Sequence, residues 1–72
     1  MNTQSTNDLI RIAAAGGGFK IDGAARATND LIRIAAASAG KGKVVFTNMA
    51  ASSTNDLIRI AAVGKGSVFF ED

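Results

Sequence analysis

The nine-residue segment TNDLIRIAA occurs three times without a single difference, beginning at Thr6, Thr28 and Thr54. The three copies make up more than a third of a chain of 72 residues. A chain that repeats itself in this way folds into units that share one local structure, and each unit covers apolar surface of the next. Repetition therefore constrains the architecture of this protein more than its composition does.

Each copy is followed by a glycine-rich break and then by a short run of residues that favour β-structure. The three runs are GGGFKID (16–22), GKGKVVFTN (40–48) and GKGSVFFED (64–72). Aligning them on Gly17, Gly42 and Gly66 places Phe19, Val44 and Val68 in one column, and Ile21, Phe46 and Phe70 in another two residues later. We therefore predict a single domain, 1–72, in which one helix–strand unit is repeated over about 6–22, 28–48 and 54–72.

The conserved spacing within each copy predicts a short amphipathic helix. We expect the threonines at the starts of the copies (Thr6, Thr28 and Thr54) to cap the helices by accepting N–H groups of the first turn. The aspartate two residues later favours the helix N-terminus and stands three residues before an arginine, which allows a weak ion pair. The glycines beyond each copy end the helix. Helices of this length are unstable alone in water, so packing must hold them.

The predicted strands alternate between two kinds of side chain. One face of the sheet is apolar, whereas the other face is mixed, as expected when helices cover only one side of a sheet. On the mixed face we expect Lys20, Val45 and Phe69 to lie side by side, flanked by Lys43 and Glu71. Strands joined through helices are expected to run parallel with right-handed crossovers.

These elements together predict an α/β fold, with three tandem helix–strand repeats forming a short βα solenoid. Its three-stranded parallel sheet would be covered on one face by helices. This architecture resembles the βα solenoids, of which the leucine-rich repeats are the best-known family. The resemblance is one of architecture: the pattern LxxLxLxxN is absent, the strands are rich in Val and Phe, and only Asn48 imitates the asparagine of that pattern. The exact identity of the copies suggests recent duplication or construction by design.

Composition excludes several kinds of chemistry. The chain has no Cys and no His, which removes disulfides, the usual zinc ligands and the usual general base near neutral pH. The segment GKGS (64–67) is not a phosphate loop, because the glycines follow a helix and precede a strand. Asp8, Asp30 and Asp56 would share one end of the array, but no further acidic residues complete a cation site. We predict no enzyme activity, no metal and no cofactor.

Two functional hypotheses remain open. In the first, the protein self-associates as a homo-oligomer by dimerisation, domain swapping or end-to-end stacking, because repeat arrays need polar caps and none is present. In the alternative, the mixed face around Val45 and Phe69 binds another protein or a peptide. The residues of the candidate interface are Lys20, Val45, Phe69, Phe70 and Glu71.

Other partners and locations follow from charge and hydropathy. The net charge of +2 is small, and we do not expect nucleic-acid binding through Lys41, Lys43 and Lys65. Apolar runs are broken well before the length of a membrane span, and the beginning of the chain is not of the secretory type. The lack of Cys fits a reducing compartment. We therefore expect a cytoplasmic protein with no membrane partner.

Overall fold

The structure, a computed structural model, describes residues 3–72; the first two residues of the predicted domain lie outside this range. Helices and strands alternate along the chain. The helices are α1 (Thr6–Ala14), α2 (Thr28–Ser38) and α3 (Thr54–Gly64), and the strands are β1 (Phe19–Asp22), β2 (Val44–Thr47) and β3 (Val68–Phe70). A short 3-10 helix, Gly23–Ala25, follows β1.

The three strands form one open, parallel sheet in the order β1-β2-β3. Phe19 pairs with Val44 and Val44 with Val68, so the register is the one obtained from the sequence by aligning the glycine-rich breaks. Chain order and spatial order agree because β1 and β2 are each followed by a helix that returns the chain to the start of the next strand. The predicted α/β class and the parallel sheet are confirmed.

The hydrophobic core lies between the sheet and the helices. The strands contribute Ile21, Val44 and Phe46, which are almost completely buried, and the Phe46 and Phe70 rings lie at a tilt of 39° with their centroids 6.4 Å apart. The helices contribute Leu9, Ala13, Leu31, Ile34, Ala35 and Ile60. This packing holds helices of 9 to 11 residues that would be marginal in isolation.

Each helix begins at the threonine of its copy, one residue earlier than a threonine cap would place it. Ser5 Oγ accepts a hydrogen bond from the Asp8 N–H, and Ser53 Oγ accepts one from the Asp56 N–H, each at 3.1 Å. Helix α2 begins after Ala27, which makes no side-chain cap. The prediction that Thr6, Thr28 and Thr54 cap the helices was therefore wrong: the residue before each threonine has the extended backbone of a cap, and the threonine is already helical.

The three helix-to-strand loops differ from one another. In the first two loops the positive φ angles occur at Gly16 and Gly40, rather than at the aligned glycines Gly17 and Gly42, whereas in the third loop the aligned Gly66 has the positive φ. In the third loop the residue after the helix, Lys65, also takes the left-handed conformation, with φ at 49°. The loops span 15–18, 39–43 and 65–67, and these different lengths explain why one glycine alignment does not describe all three turns.

Candidate interaction surfaces

The uncovered face of the sheet carries the row of side chains that the alternation predicted. Lys20 pairs with Val45, and Val45 pairs with Phe69, so the three lie side by side on adjacent strands. Lys20 is exposed, Val45 is half-buried, and 47% of the surface of Phe69 is accessible to solvent. We call this row, together with Lys43 and Glu71, the mixed face.

The polar groups of the mixed face have partners within the molecule. Lys20 Nζ lies 3.0 Å from Glu71 Oε1, and this ion pair joins β1 to the residue that directly follows β3. The ammonium group of Lys43 lies 5.4 Å from the centre of the Phe69 ring, within the range of a cation–π contact. Phe70, which was included in the candidate interface, lies on the opposite, helix-facing side of β3 and is half-buried beside Phe46.

The helix layer shows that identical residues have different surroundings. Leu9 and Leu31 are buried, whereas Leu57 at the same position of the third copy is only half-buried. The alanine four residues later is completely buried in the first two copies and exposed in the third, as Ala61. Ile58 is the most exposed large apolar residue, at 59%. We call the surface of α3 formed by Leu57, Ile58 and Ala61 the α3 end.

At the other side of the helix layer the first copy, rather than the third, has the more exposed apolar residue. Ile34 and Ile60 are completely buried, but Ile12 at the same position of the first copy is only half-buried. Ile12 lines an open cleft of about 400 Å³. The other residues that line the cleft are Gln4, Asp8, Arg11 and Ala15. We call this cleft the α1 end.

Two polar contacts join neighbouring helices. Arg33 Nη2 on α2 lies 3.5 Å from Asn7 Oδ1 on α1, and Thr28 Oγ1 on α2 lies 3.5 Å from Asp56 Oδ2 on α3. Both contacts are long, so each contributes little free energy. The contacts nevertheless show which polar residues of one copy lie next to the neighbouring copy.

The sheet has open edges at the same two ends. Within residues 3–72, β2 is paired on both sides, whereas β1 and β3 are each paired on one side. The Phe19 N–H donates to the Lys43 carbonyl at 3.2 Å, and the Val44 N–H donates to the Ser67 carbonyl at 2.8 Å. Successive residues of a parallel strand direct their backbone N–H and C=O groups to opposite sides of the strand. Because Ser67 bonds to β2, Val68 and Phe70 direct their backbone groups towards the open edge of β3.

The acidic side chains at the helix starts lie beside arginines. Each aspartate at a helix start lies 3.8 to 4.0 Å from the arginine of its own copy, in an exposed pair. Across residues 3–72, no group of three or more acidic side chains is arranged to hold a metal ion. In the same part of the chain, no helix has the length and apolar character needed to cross a membrane.

The α3 end and the α1 end were not located by sequence reasoning, which identified open ends but not the residues on them. A usable signal was present: a residue buried between two copies must be exposed wherever its copy is the last.

No protein-family model matches this chain, and neither the curated proteins nor the solved structures include a significant match to it.

Proposed function

We propose that this protein is a non-catalytic βα-repeat protein, a short solenoid, that self-associates through its two open ends. One observation carries the proposal: Leu57 and Ala61 are more exposed than the identical residues in the first two copies. In those copies the Leu/Ala surface is buried, and we infer that the next helix along the chain covers it. Among residues 3–72, no helix covers the same surface at the α3 end, and a second copy of the protein would supply one with a suitable shape.

The expected affinity follows from the apolar surface that association removes from water. Completing the burial of side chains such as Leu57 and Ile58 contributes about 1–2 kcal/mol each. Association costs at least about 4 kcal/mol in lost freedom of motion. The two terms are of similar size, so contacts of the helix ends alone give weak binding. Pairing of the open sheet edges adds main-chain hydrogen bonds, and we expect a dissociation constant of about 10 µM to 1 mM.

Sedimentation velocity over a concentration series tests this proposal. The average mass is expected to rise between about 5 µM and about 1 mM protein. An Ile58→Glu variant places a charge on the α3 end without disturbing the core, because Ile58 is exposed, and its mass is expected to stay that of the monomer. A wild-type protein that remains monomeric over the whole range would rule out self-association.

A second candidate function is protein or peptide binding by the mixed face, and it is favoured by the exposure of Phe69 beside Val45. A Phe69→Ser variant should then lose binding to an extended hydrophobic peptide while its circular dichroism spectrum stays unchanged. We prefer self-association because Lys20, Glu71 and Lys43 already have partners on the mixed face, which leaves less surface to be covered there.

A further inference from the structure

We infer that the contact between copies is head-to-tail: the α3 end of one molecule packs into the α1 end of the next and continues the order of helices and strands. This inference rests on the proposed self-association and specifies its direction. A heterologous contact of this kind leaves an unused end on both the first and the last molecule of any complex that has not closed into a ring. It therefore leads to chains or to closed rings, rather than to a dimer with two-fold symmetry.

The shape of the two ends supports this direction. The burial of the three copies indicates that the Leu/Ala side of one helix faces the next helix, since this side is exposed only in the last copy. It likewise indicates that the isoleucine three residues after the leucine faces the preceding helix, since this residue is half-buried only in the first copy. A Cβ atom built on Gly64 of α3 would lie 3.7 Å from Ala35 Cβ of α2, so Ala35 faces α3; the same atom would collide with Val68, which requires glycine at this position. The α3 end displays the first kind of surface, with Ala61, and the α1 end displays the second, with Ile12. The two ends are thus complementary to each other rather than to themselves.

The polar residues at the two ends match in the same direction. The contact from Thr28 to Asp56 has its equivalent between Thr54 of one molecule and Asp8 of the next. The contact from Arg33 to Asn7 has its equivalent between Arg11 of the second molecule and Asn55 of the first. Asp8 and Arg11 both line the cleft of the α1 end, and the Arg11 side chain is 84% exposed.

The sheet edges also favour this direction. Inside the molecule the Val44 N–H donates to Ser67, the residue before Val68. Continuing this register, the Val68 N–H of one molecule would donate to the Gly18 carbonyl of the next, and β1 would extend the parallel sheet. A two-fold contact between two β3 edges would instead create an antiparallel strand pair, which the sheet of this molecule does not contain.

Two variants that block opposite ends test the direction. Ala61→Arg adds a bulky charge to the α3 end, and Ala15→Arg adds the same side chain to the α1 end; both alanines are exposed. Each variant alone is expected to be monomeric, because a head-to-tail contact needs one intact end of each kind. An equimolar mixture is expected to form a dimer of about twice the monomer mass and no larger species, since only one pair of intact ends remains. Ala36→Arg, on the exposed side of α2, is the matched control and should associate like the wild type.

The outcomes separate this inference from the proposed function. If one blocked variant still forms dimers alone, the contact is two-fold and the head-to-tail direction is wrong, although self-association stands. If the wild type associates but the mixture stays monomeric, the direction is also wrong. A monomeric wild type would instead overturn self-association itself. Circular dichroism and thermal unfolding identify any variant that fails to fold, and Ile58→Glu then replaces Ala61→Arg and Arg11→Glu replaces Ala15→Arg.

Discussion

Lys41, in the loop between α2 and β2, donates a hydrogen bond from Nζ to the carbonyl oxygen of Ala14, 2.8 Å away. A cation at the C-terminal end of a helix is favourable because the last carbonyl groups carry partial negative charge. The lysine thus stabilises the end of α1, the helix of the first copy, and links two residues that are separated by 27 positions in the chain.

The first prediction concerns this contact. Lys41→Met removes the charge and the donor but keeps a side chain of similar length, and it should lower the free energy of unfolding by about 0.5–1 kcal/mol. Urea unfolding followed by circular dichroism measures the change. Lys65→Met is the control, since no side-chain hydrogen bond or ion pair of Lys65 is found among the described residues. A loss of stability as large for Lys65→Met as for Lys41→Met would contradict the role of the Ala14 contact.

The second prediction concerns the start of α2. Ala27 has φ and ψ of −67° and 150°, close to the −68° and 157° of Ser5, which does cap its helix. The Asp30 N–H now donates to the Ala27 carbonyl at 3.0 Å. Ala27→Ser should place a hydroxyl group where it also accepts this N–H, and because the group already has a partner the free energy of unfolding should rise by only about 0.5 kcal/mol. Ser53→Ala should cost about as much at α3, because it removes the same hydrogen bond.

Thermal unfolding of the two single variants and of the double variant checks this prediction. The two sites lie on different helices and share no capping partner, so the effects should add. An Ala27→Ser variant no more stable than the wild type would show that capping does not limit α2.

The helix caps also show how much of the fold could be predicted from the sequence. The strand register followed from the alternation and the glycine-rich breaks, since both are local patterns. The position of the caps could have been found too: Ser5 and Ser53 each stand three residues before an aspartate, a spacing close to the capping box, whereas three residues after Thr6 there is a leucine. The surroundings of the three copies could not be found in the copies themselves. Identical segments carry identical local information, so their different burial arises only from which neighbours they have.

The third prediction concerns Lys65, which has a positive φ of 49° at the end of α3. A residue with a Cβ atom is strained in this conformation, whereas glycine is not. Lys65→Gly should raise the free energy of unfolding by about 0.5–1 kcal/mol, after allowance for the greater freedom of glycine in the unfolded chain. Ala39→Gly is the matched control at the end of α2, where φ is −56°, and it should destabilise the protein. Urea unfolding measures the free energy of unfolding of both variants. A change of the same sign in the two variants would contradict the prediction.

The last prediction compares one substitution at three identical positions. Leu9→Ala and Leu31→Ala each empty a site that is at least 98% buried and should cost about 3 kcal/mol, a large share of the stability of so small a domain. Leu57→Ala should cost only about 1 kcal/mol in the monomer, since its side chain is half-buried.

Urea unfolding at about 5 µM protein measures the monomer series, because few ends are joined at that concentration. Repeating it at about 1 mM should increase the cost of Leu57→Ala selectively, since the variant also loses the contact with the next molecule. The cost of Leu31→Ala should change little, because Leu31 is covered by α3 of its own chain at every concentration. Equal costs at all three positions in the dilute protein would mean that α3 is already covered in the monomer, and the reason for association would disappear.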